Sequence, residues 1–183
     1  MTHETLITLI NPPKYLSVLI AYTVAADVLP IFEKKYPKDL RPRKAVEASK
    51  MYLDGYAVDA ADAADAADAA DAAYDDDTAD LVAYYAAYAA ANAANAAYVA
   101  YYVDATDVTV AAYDAADYAA RASSEEHVFN LILSLLPQMI NYAVENQIKL
   151  FTEFGDFSGI FEMLTDEQKK SVIFNMDVIG SWK

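Results

Sequence analysis

Apolar positions recur along this chain at helical rather than alternating spacing. Tyr15, Leu16, Leu19, Tyr22, Val24 and Ala26 share a helical face. Asn11 is expected to cap that helix, with Pro12 in its first turn, where the missing N–H costs nothing. Pro30 is expected to cut or kink it near Leu29. Residues 34–39, Lys-Lys-Tyr-Pro-Lys-Asp, read as a solvated connection. A second helix opens near Arg41-Pro42-Arg43 and runs through Ala45, Val46, Ala48, Met51 and Tyr52 to a glycine stop at Gly55.

Further on, Leu81, Tyr88, Asn95 and Tyr102 stand seven residues apart, with Tyr84, Tyr85, Tyr98 and Val99 beside them and alanine opposite. This predicts a long helix whose tyrosine stripe serves core and helix-edge packing. Asp104 or Asp107 can cap the next helix, which runs through Val108, Val110, Ala111, Ala115 and Tyr118 to Arg121. Ser123-Ser124-Glu125-Glu126 fits a capping box ahead of Val128, Leu131, Ile132, Leu135, Leu136, Ile140 and Ala143, with Pro137 kinking that helix. Residues 155–159 read as a loop, and Thr165 to Gln168 repeats the capping box before a last helix with Val172, Ile173, Met176 and Ile179. The predicted fold is all-α, an Ala-rich antiparallel helical bundle of about six to eight helices.

A length of 183 residues suits a single helical domain 1–183, with Ala-rich helices over 1–122 and a C-terminal helical extension, 123–183, packed on it. Much of the 56% hydrophobic content is alanine, which buries little area but permits close helix approach, so a thin core is expected. The large aliphatics of the last third are expected to supply much of its stability. There is no cysteine, which excludes disulfides, thiolate metal sites and a cysteine nucleophile. The N-terminus lacks the basic start and long apolar stretch of a secretion signal, so a cytoplasmic location is expected. Leu81 to Val103 is uncharged and long enough to span a bilayer, but its Ala, Tyr and Asn residues are weakly apolar and its flanks are Asp-rich, which argues against a membrane role.

Charge changes the picture most. Residues 51–120 hold fourteen Asp and no Glu, Lys or Arg, so they carry −14 of the formal −15. From Asp59 the chain repeats every three residues through Asp62, Asp65, Asp68 and Asp71, followed by Asp75, Asp76, Asp77 and Asp80. On an Ala-driven helix each step turns about 300°, so the carboxylates wind backward around the axis. Neighbouring Asp repel by about 0.2–0.5 kcal/mol per pair. One reading is a tolerant solvated face, partly paired with Arg41, Arg43 or Lys44. The other is a docking surface, formed by these nine aspartates, for a basic protein such as a toxin or nuclease. Such a field repels nucleic acid and anionic membrane, so direct binding to either is not expected.

Catalytic chemistry is sparse. The two histidines are His3, near an end expected to fray, and His127, in the first turn of a helix; neither is placed as a general base. Asp76-Asp77-Thr78-Ala79-Asp80 matches the DDxxD pattern of isoprenoid synthases, but no basic cluster for pyrophosphate lies beside it. The Asp run can bind calcium or magnesium loosely, but it lacks the order of an EF-hand loop. Neither a cofactor nor a defined metal site is expected, and the chain reads as a binding protein rather than an enzyme.

The run from Ala25 to Ala48, with Leu29-Pro30, Phe32-Glu33, Tyr36-Pro37 and Arg41-Pro42-Arg43-Lys44-Ala45, precedes long Ala-rich helices ending at Tyr118 to Arg121. Across roughly residues 20–122 this resembles the immunity proteins of bacterial polymorphic-toxin systems, the Ala-rich immunity-five-like group. The resemblance implies an inhibitor of a co-encoded toxin. In the basic block, Pro42 is expected to start a helix while its neighbours pair with Asp rather than bind phosphate. Competing functions are a phage-type decoy that mimics nucleic acid against a host defence nuclease such as a CRISPR effector, a helical homo-oligomerisation module, and a carboxylate enzyme using Asp76, Asp77 and Asp80.

Overall fold

The computed structural model describes residues 2–58, 61, 64, 65, 68, 81–102, 105–146, 150, 160–166 and 169–170. Among these there are seven helices and no strand: α1 (His3–Ile10), α2 (Lys14–Lys35), α3 (Arg41–Leu53), α4 (Leu81–Tyr102), α5 (Ala105–Ala122), α6 (Glu125–Ser134) and α7 (Leu136–Glu145). The all-α expectation holds. The loop at 155–159 and the last helix through Val172 to Ile179 lie outside the described residues.

The chain's first turns differ from the pattern-based reading. His3 to Ile10 is a helix in its own right, capped by Thr2, whose side chain accepts from the Thr5 N–H. Asn11 ends this helix in the left-handed region at φ 47°, rather than opening the next one. Both roles suit asparagine, whose short amide serves caps and tolerates the left-handed conformation. α2 then starts at Lys14 and passes uncut through Pro30. Pro30 faces solvent while Val28, Leu29 and Phe32 on either side are buried, so tertiary packing holds the helix across the lost hydrogen bond. α2 has the length and mean hydropathy, 1.8, of a membrane span, yet its apolar residues are covered by neighbouring helices.

The centre of the bundle is α4, packed against α2, α3 and most extensively α5. Every buried residue of α4 is alanine, from Ala83 to Ala100. α5 answers with buried Ala111, Ala112, Ala115, Ala116 and Ala119. Small side chains on both helices let the backbones approach closely, which places shape rather than bulk at the centre. The tyrosines are therefore not the core face: Tyr84, Tyr85, Tyr88 and Tyr98 lie half-buried at its edge. Tyr85 meets Arg121 and Tyr88 stacks on Tyr118, so α4 and α5 run in opposite directions.

Large buried side chains concentrate at the other side, where Leu6, Ile7 and Ile10 of α1 and Leu16, Ile20 and Phe32 of α2 are joined by Ile132, Leu136 and Met139. Among the described residues, most of the largest fully buried side chains belong to α1 and α2. α6 packs on α1, α2 and α5. Tyr142 of α7 stacks on Tyr15 of α2 at 4.4 Å, nearly parallel. Burial raises the Tyr142 and Tyr52 phenols above their usual value. The helix break falls at Leu135, and Pro137 sits in the first turn of α7, where no donor is needed, instead of kinking a continuous helix.

Candidate partner-binding surface

α3 delivers the chain into the acidic repeat through a defined stop. Gly55 adopts φ +88°, its N–H donates to the Tyr52 carbonyl and the Tyr56 N–H reaches back to Met51, satisfying carbonyls the helix end would leave open. Asp54 accepts from Lys50 at 2.6 Å beside it. Of the nine aspartates expected to form the docking face, Asp65 and Asp68 are described; both are helical and exposed. Asp59, Asp62, Asp71, Asp75, Asp76, Asp77 and Asp80 lie outside the described residues, and so does the DDxxD match.

Arg41 of the basic block lies within electrostatic reach of Asp65 and Asp68. Arg41 clamps Asp39 with a fork, its Nη2 donating to Oδ2 at 2.6 Å and Nε to both oxygens at 3.0 and 3.2 Å. That hydrogen bond holds the Asp39 carboxyl below the usual carboxylate range, partly opposed by burial. The same bond holds Arg41 firmly protonated, and the charges of Asp68 and Asp65 add to it. Pro42 is buried in the first turn of α3. Arg43 pairs across to Glu33 of α2 at 2.6 Å, a glutamate rather than the expected aspartate, and Lys44 is exposed. Pro30, Glu33 and Arg43 line a shallow groove between α2 and α3 with Tyr22, Val46 and Lys50. Both arginines are therefore paired within the fold.

Two further groupings join residues far apart in the chain. On α4 and α5, the rings of Tyr84, Tyr85, Tyr88 and Tyr118 form a connected edge, with centroids 4.8 to 6.2 Å apart. The Arg121 guanidinium lies 5.7 Å from the Tyr85 centroid and 5.8 Å from that of Tyr118, and pairs with Asp117 at 2.8 Å. The histidines are each held by a carboxylate. His127 Nε2 lies 2.6 Å from Asp27 Oδ2 and links α6 to α2 at the surface. His3, expected at a frayed end, is instead buried against Glu125. The capping box is also rearranged: Ser124 accepts from the His127 N–H, while Ser123 donates to the Ala119 carbonyl.

A family model described as Imm-5 like putative immunity protein matches residues 11–130. The chain belongs to this family. The match runs from Asn11 into α6, so it spans the basic block, the acidic repeat and the Tyr–Arg edge, and reaches further at both ends than the resemblance legible in the residues. Membership in an immunity family implies an inhibitor of a toxin rather than an enzyme. No curated protein and no solved structure matches the chain.

Proposed function

We propose that this immunity protein acts in the cytoplasm by binding a basic toxin, most simply a nuclease, and covering its positively charged functional surface with the Asp-rich segment between α3 and α4. The observation that carries this reading is the confinement of −14 formal charges to residues 51–120. Asp54 and Asp117, near the two ends of that span, pair with Lys50 and Arg121, whereas Arg41 and Arg43, just before the repeat, are engaged by Asp39 and Glu33. Asp65 and Asp68 are exposed on a helix and available to a partner. A dense field of one sign accelerates association with a basic surface and repels nucleic acid, so the inhibitor would compete with the nuclease's substrate without binding nucleic acid itself.

The test is capture of proteins encoded beside this gene on the immobilised chain, washed at low and at high salt, followed by a nuclease assay of whatever is retained. A basic toxin held at low salt and inhibited on binding supports the reading. Retention of an acidic or neutral partner that resists high salt would contradict it.

A further inference from the structure

We propose that the bundle carries a divalent metal site at the start of α1, formed by His3, Glu4 and Asp117, that takes a transition-metal ion of the zinc class. His3 is 2% exposed. Its Nδ1 lies 2.8 Å from Glu125 Oε2, and its backbone N–H donates to Oε1 of the same carboxylate at 2.7 Å. Glu125 thus orients the ring and accepts a hydrogen bond from Nδ1–H, the tautomer that leaves the lone pair on Nε2. Nε2 is buried and has no hydrogen-bond partner among the described residues. An imidazole held from behind by a carboxylate, with its other nitrogen presented as a base, is how histidine ligands are oriented toward a cation.

The carboxylates in front of it complete the set. One ring nitrogen of His3 and one oxygen each from Glu4 and Asp117 lie within 4.8 Å of one another. With Nδ1 engaged by Glu125, the nitrogen that can bind is Nε2. Asp117 makes both contacts with Arg121 through Oδ2, at 2.9 and 2.8 Å, so Oδ1 is the oxygen it can give. Glu4 is exposed and Asp117 half-buried, so both side chains can draw inward to bonds of about 2.0–2.2 Å. An imidazole in the set disfavours calcium and magnesium, which take oxygen ligands. Three protein ligands leave a fourth position to water. The ion joins α1, only eight residues long, to α5, with α6 behind it through Glu125.

The experiment uses the untagged full chain stripped of metal, with zinc alone titrated by calorimetry and thermal melting, and cobalt as a visible-spectrum reporter. One equivalent is expected to bind and to raise Tm by about 5–11 °C at a hundredfold excess over Kd. Glu4→Gln and Asp117→Asn are expected to keep the helical circular dichroism and weaken zinc binding at least about tenfold. Asp65→Asn with Asp68→Asn is expected to leave it unchanged. Absence of saturable binding would overturn the proposal. So would binding that survives Glu4→Gln and Asp117→Asn but is lost with Asp65 and Asp68, which would assign the cation to the acidic repeat.

Discussion

Replacing Ala90 with leucine tests whether close helix approach at α4 organises the bundle. Ala90 is fully buried at the middle of the helix that contacts α2, α3 and α5. Leucine adds three carbons where neighbouring buried positions, Ala86, Ala87, Ala93 and Ala94, are equally small, so the added volume must separate helices or twist rotamers. Overpacking of this kind costs about 1–3 kcal/mol. For a chain of this length that corresponds to a fall in Tm of about 2–12 °C. Asn95→Leu on the same helix is the control, because Asn95 is exposed and the change improves helix propensity there. Thermal and urea unfolding of the two variants, followed by circular dichroism, give the comparison. Equal stability of Ala90→Leu and Asn95→Leu would refute the claim that Ala-to-Ala contact sets the helix spacing.

Other outcomes follow from buried bulk and from the carboxylates. Phe32→Ala should destabilise the fold by about 3–5 kcal/mol in urea unfolding, because Phe32 is the largest fully buried side chain among the described residues. The Asp39 carboxyl is depressed by Arg41, so its contribution is present above about pH 4 and lost as pH falls through its lowered folded value. Asp39→Asn should therefore flatten the acid limb of the stability profile, by no more than about 1 kcal/mol for so exposed a pair. Asp114 behaves oppositely: burial and then Asp117 raise its carboxyl, so ionisation costs stability as pH rises above the ordinary value. Asp114→Asn should raise Tm slightly at pH 7 and leave it unchanged at pH 3.

Helix type and most helix interiors were legible because helical spacing of apolar residues and the glycine stop at Gly55 are local signals. Boundaries were not, wherever one residue type serves two roles. Asn11 can cap either end of a helix, and α1 shows only a short apolar run with no periodicity to count. Pro30 looked like a break because the sequence does not display the packing of Val28 and Phe32 that carries α2 through it. The tyrosine stripe is legible and packs at the helix edge as expected, while the centre goes to alanine, because on an Ala-rich helix the small face is the one that neighbours can approach. Pairing of Arg41 and Arg43 with aspartate is expected from the sequence, but the partners are Asp39 and Glu33, close by in the chain, rather than the aspartates of the repeat. His3 could not be matched to its acid, since Glu125 lies 122 positions away and only the docking of α6 on α1 brings them together.

The Asp-rich segment is the surface proposed to meet the partner. The most direct measurement is the affinity of the co-encoded toxin for the chain and for the variant with Asp59, Asp62, Asp65, Asp68 and Asp71 changed to Asn, at about 50 and 300 mM salt, where screening lengths differ roughly twofold. Wild-type affinity is expected to drop steeply with salt, and the variant to bind at least about tenfold more weakly with a flatter dependence, its circular dichroism and Tm preserved. Equal affinity and equal salt slope for the two proteins would contradict the proposal.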